Sequence, residues 1–99
     1  MQIKEGASLQ GLDIRMRSAL ITADRIWQQH GQELVVTAGL DGTHSAGSLH
    51  YYGRAIDLRT RYFDKAAAVA VAGELRDALG SDFDVVLHSS HVHVEYDPA

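Results

Sequence analysis

Cysteine is missing from the 99 residues. That excludes disulfide scaffolds, cysteine-ligated zinc and thiol nucleophiles. There is one proline, and nothing in the chain reads as collagen, low complexity or disorder. Positive charge is scarce. Nine Lys and Arg face thirteen Asp and Glu, for a formal net charge of −4, which leans away from a nucleic-acid partner. No apolar run approaches the roughly 20 residues of a membrane span, so no membrane partner is expected. The opening residues MQIKEGASLQ lack the apolar stretch of a signal peptide. What remains is ordinary globular composition, 45% hydrophobic and 22% charged, and one domain over 1–99 is the expectation. Histidine stands out: there are six, five of them between His44 and His93.

Periodicity predicts a helix over 13–30, with Ile14, Ala19, Ile21, Ala23, Ile26 and Trp27 in its apolar stripe and Gly31 as its stop. ELVVTA, 33–38, is short and β-branched and reads as a strand. Residues 39–54 hold four glycines and little periodicity, and a loop of that length in a small domain is usually functional or disordered. AIDLRTRY alternates as a strand does. Asp64 is placed to N-cap a second helix over 64–79 that closes on Gly80. FDVVLH and HVHVEY, separated by Ser89-Ser90, read as a hairpin. The expected fold is α+β: a small, mostly antiparallel sheet with two helices packed on it.

Two clusters carry chemistry. On a strand, His91, His93 and Glu95 share one face, while Val92, Val94 and Tyr96 share the other. Two imidazoles and a carboxylate can converge on one ion; the plain alternative is a solvated strand face. The second cluster runs from Ser48 to Asp57. Asp is unfavourable inside a strand without a partner, so Asp57 implies a cation, several donors, or a salt bridge to Arg54, Arg59 or Arg61. Gly53 and Ala55 are small and let backbone pass close to a site. Two His and one Asp make three N/O ligands, which suits an open zinc site better than a closed structural one.

The pattern Ser48-x-His50-x-x-Gly53-x-Ala55-x-Asp57, followed by His91-x-His93, resembles the zinc D-Ala-D-Ala carboxypeptidases (peptidase family M15). The wider group includes D-alanyl-D-alanine dipeptidases, phage endolysins that cut L-alanyl-D-glutamate bonds, and the zinc-bearing hedgehog signalling domain. DGTHSAGSLHYYGRAIDLR and HVHVEYDP resemble the phage and prophage branch most. The resemblance implies a hedgehog/DD-peptidase-like fold and Zn2+ held by His50, Asp57 and His93. His91 would lie beside the metal. His44 falls where the hedgehog branch also carries a histidine near its zinc, and Ser48 and Glu95 complete the surroundings. His30 lies outside both clusters, at a helix C-terminus where a cation suits the dipole.

One position departs from the catalytic pattern. Catalytic members carry Asp or Glu three residues before the last zinc histidine, as the base that takes the proton from zinc-bound water. Here that position holds Ser90, and serine accepts no proton at neutral pH. His88, His91 or Glu95 could substitute, His88 best because its ordinary pKa near 6.5 suits a base at neutral pH. Otherwise the serine marks a natural or engineered loss of activity, or a domain that binds metal without hydrolysis. The expected function is a zinc metallopeptidase, a monomer acting on peptidoglycan stem peptides. It would be made in the cytoplasm and released to the cell wall during phage-type lysis. The alternative is a catalytically inactive, zinc-stabilised binding or phage structural domain of the same fold.

Overall fold

The computed structural model describes residues 1–39 and 53–98. Its elements run β1 (Gln2–Ile3), α1 (Ile14–Gln29), β2 (Val35–Ala38), β3 (Ala55–Arg59), α2 (Lys65–Leu79), β4 (Phe83–Leu87) and β5 (His91–Tyr96). Both helices start on an aspartate. Asp13 Oδ1 accepts from the Arg15 N–H at 2.8 Å, and Asp64 Oδ1 from the Ala67 N–H at 2.7 Å, filling donors that a helix start leaves open. The Arg15 guanidinium, bonded to both Asp13 oxygens, pulls the Asp13 carboxyl down to about 2. α1 ends as a Schellman motif: the Gly31 N–H bonds Gln28 O, the Gln32 N–H bonds Trp27 O, and Gly31 takes φ +76°, which glycine adopts without strain.

The buried stripe of α1 is Met16, Ala19, Leu20, Ala23, Ile26 and Trp27. Ile14 and Ile21, expected in that stripe, are 76% and 72% exposed. They lie seven residues apart on the opposite face, and the i, i+3, i+4 series that packs begins at Met16. His30 caps the helix and its imidazole meets the Glu74 carboxylate on α2.

The sheet order is β1-β2-β3-β5-β4. β2–β3, β3–β5 and β5–β4 are antiparallel, but β1 runs parallel to β2, pairing Gln2 with Val35 and Ile3 with Val36. The sheet is therefore mixed, which corrects the mostly antiparallel expectation. Two residues of edge strand carry too little pattern to announce themselves. β3 stops at Arg59, short of the predicted strand, because the chain turns at Thr60, whose N–H bonds Ser90 O and whose carbonyl accepts from Phe63 N–H.

One face of the sheet supplies Val36, Ile56, Leu58, Val85, Val92 and Val94 to the core that both helices cover. Trp27 and Phe63 rings meet edge to face at 6.0 Å. The Trp27 indole N–H donates to Arg59 O at 3.0 Å, so α1 grips the end of β3, beside the polar residues on the far side of the sheet. Among the described residues no helix is long and apolar enough to cross a membrane. Trp27→Phe removes that donor and part of a fully buried ring. It is expected to cost about 2–3 kcal/mol, read from the urea midpoint; a loss within 0.5 kcal/mol, the range about typical of surface changes, would contradict the packing account.

Candidate functional site

The face turned away from the helices is set by strand register. β3 and β5 pair Ala55 with Glu95, Asp57 with His93 and Arg59 with His91; β4 and β5 pair Asp84 with Glu95 and Val86 with His93. Alternation then puts Asp57, Arg59, His91, His93 and Glu95 on one side. Asp57 and His93 stand directly opposite each other, and Glu95 lies two residues along the same face.

The His93 ring lies between two carboxylates. Its Nδ1 is 2.8 Å from Asp57 Oδ1, and its Nε2 is 2.8 Å from Glu95 Oε1. A doubly protonated ring donates to both. The Asp57 hydrogen bond, opposed by burial and reinforced by Glu95, raises the His93 pKa above its ordinary value. His91 Nε2 lies 4.0 Å from the same Asp57 oxygen. These side chains are 19–33% exposed, so the group is open to solvent. Among the described residues no ion pair joins Asp57 to Arg54, Arg59 or Arg61; its partner is an imidazole.

The hairpin tip places His88 against His91, with rings stacked at 4.8 Å and 26° and the His88 N–H bonded to His91 O at 2.8 Å. Ser90 is exposed on the turn. His44, Ser48 and His50 lie outside the described residues.

A second group escaped the sequence reading. Asp84, Glu95 and Asp97 each bring a carboxylate oxygen within 4.8 Å of the others, a spacing that could hold a metal ion. The signal was available: a two-residue turn at Ser89-Ser90 puts Asp84 opposite Glu95, and Asp97 follows two residues on. Beside it, the Arg15 guanidinium covers the Tyr96 ring at 4.2 Å and donates through Nη1 to the Tyr96 hydroxyl at 3.1 Å. Arg54 approaches the ring at 5.3 Å. Cation–π contacts of this kind tie the end of β5 to the start of α1.

The family model described as the Hedgehog amino-terminal signalling domain matches residues 13–96. The chain belongs to this family. It is 38% identical over 82 residues to Indian hedgehog protein of Gallus gallus and, over the same length, to Indian hedgehog B protein of Danio rerio. Each match covers 81% of this chain and 19% of the relative, so the chain spans about a fifth of the length of the curated relatives it matches.

Family membership corrects several expectations at once. The chain is a signalling-domain homologue and not a carboxypeptidase- or endolysin-type zinc metallopeptidase of phage or prophage kind. A peptidoglycan substrate, and cytoplasmic synthesis for action at the cell wall, lose their basis with the peptidase. The reason is physical: a His/Asp pattern reports which side chains a fold brings together, and the reaction is decided by groups around them.

Gly53 has a different task from the one its size suggested. It takes φ +73°, its carbonyl accepts from the Asp13 N–H at 2.9 Å, and a Cβ there would lie 2.5 Å from Gly11 O. The close approach is to the start of α1. Gly53→Ala combines positive φ with a backbone clash and is expected to cost at least about 1–3 kcal/mol. A thermal midpoint equal to that of the parent would contradict this.

Proposed function

We propose that this chain is a zinc-holding recognition domain of a signalling protein, with His50, Asp57 and His93 as metal ligands and a receptor protein as its partner. The observation that supports it most is the His93 imidazole between the Asp57 and Glu95 carboxylates. A neutral imidazole and carboxylates are the N/O donors zinc takes in the absence of cysteine. A cation there would replace the proton that now links ring and carboxylate. When bound, zinc supplies a fixed positive charge that joins β3, β5 and the segment carrying His50. Glu95, His44 and Ser48 are proposed as the outer groups that orient the ligands. His91 and His88 present two stacked rings at the hairpin tip, suited to contact a partner. The acidic group of Asp84, Glu95 and Asp97 is all oxygen and suits a harder cation than zinc.

The absence of a carboxylate at Ser90 favours recognition over hydrolysis, because no general base stands where the catalytic pattern needs one. Zinc is expected to raise the thermal midpoint of EDTA-stripped protein. His93→Ala should weaken zinc binding at least about 100-fold, and Glu95→Gln about 10–100-fold, while His88→Ala leaves it unchanged. Competition against a chromogenic chelator measures all three. Parent affinity in His93→Ala would overturn the ligand set. Sustained cleavage of peptide substrates, lost in His93→Ala, would overturn the recognition reading.

A further inference from the structure

A polar cavity of about 280 Å³ adjoins the imidazole–carboxylate group, sharing Asp57 and His91 with it, between β1, β2, the end of β3 and the hairpin tip. Lys4, Arg59 and Arg61 line it, with the Thr37 and Ser90 hydroxyls and the His91 ring. Three of the nine lysines and arginines of a chain with net charge −4 thus converge on one small hollow. By contrast, the guanidinium groups of Arg15, Arg17 and Arg76 are occupied, by Asp13 and Tyr96, by Leu12 O and by Val85 O. Among the described residues, Lys4, Arg59 and Arg61 make no side-chain hydrogen bond or ion pair. The one carboxylate in the lining, Asp57, already meets His93 and lies 4.0 Å from His91. Its charge is directed to the imidazoles.

We infer that this cavity is an anion pocket that receives an aspartate or glutamate side chain of a protein partner. Guanidinium forks match a carboxylate in two parallel hydrogen bonds, and Lys4 adds a mobile point charge. The Ser90 hydroxyl can donate as well, while the Thr37 hydroxyl donates to Asp57 O at 3.3 Å and helps hold the wall of the cavity. Backbone bonds fix the frame: the Lys4 N–H bonds Val36 O, the Thr60 N–H bonds Ser90 O, and Trp27 holds Arg59 O. The cations ring a single hollow and form no extended stripe, and the net negative charge repels a long polyanion; both favour one carboxylate on a protein surface over a sulfated chain. The inference rests on the recognition reading, and it gives Ser90 a task as a donor at the rim.

The test is a titration of EDTA-stripped, 15N-labelled protein with the blocked tripeptide acetyl-Gly-Asp-Gly-amide, using its Asn analogue as control. The Asp peptide is expected to give saturable shifts at the amides of Lys4, Thr37, Arg59 and Ser90, with an affinity at least about tenfold above that of the Asn peptide, the order of a charge-assisted hydrogen bond. Arg61→Gln and Lys4→Gln, both at exposed positions, should each weaken it several-fold while the rest of the spectrum superimposes on the parent. Equal shifts from both peptides, or unchanged binding in both variants, would overturn the pocket. A heparin tetrasaccharide that moves these amides where the Asp peptide does not would overturn it in favour of a polyanion site. Because the titration contains no metal, its failure with zinc binding intact sinks the pocket alone, and loss of zinc binding with peptide binding intact sinks only the metal reading.

Discussion

The antiparallel register of β3 against β5 is the constraint on which the rest depends. It sets Ile56 and Leu58 beside Val94 and Val92 under the helices, and by the same step sets Asp57 opposite His93 on the open face. A slip of one residue would bury the imidazole and carboxylate and expose the valines. Core and site therefore hold each other in place. The grip of Trp27 on Arg59 O and the Thr60–Ser90 backbone bond pin one end of the ladder. The Arg15–Tyr96 contact and the Arg54 carbonyl, which accepts from Tyr96 N–H, pin the other.

Much of this was legible in the residues, for identifiable reasons. Asp13 and Asp64 before apolar periodic runs announced both helices, and Gly31 and Gly80 their ends. The two-residue Ser89-Ser90 turn announced the hairpin, and with it the common face of His91, His93 and Glu95. β1 was illegible because two residues cannot show alternation, and so the parallel pair was missed. Ile14 and Ile21 misled because isoleucine on an outer helix face looks, in sequence, like core. Neither the anion pocket nor the acidic group is local: Lys4, Arg59 and Ser90 meet only once the sheet order is known.

The spacing of His50, Asp57 and His93 resembles a metal-ligand pattern, and such a pattern carries a ligand set without carrying a reaction. Ser90 already opposed hydrolysis, since serine cannot serve as the base. Membership of the hedgehog signalling family places the weight on recognition. The polar face then reads as one surface with two kinds of grip: imidazoles and carboxylates suited to a cation, and beside them arginines and a lysine suited to an anion. The Asp57 carboxylate borders both and keeps them apart by facing the histidines.

The central claim is that this open face holds zinc through imidazole and carboxylate. X-ray absorption at the zinc edge, on protein loaded with one equivalent of zinc, tests it most directly. The account predicts a low-coordinate shell of nitrogen and oxygen donors at about 2.0–2.2 Å with the outer-shell scattering of imidazole, and loss of part of that imidazole signal in His93→Ala. A shell of oxygen donors alone, identical in parent and His93→Ala, would contradict it.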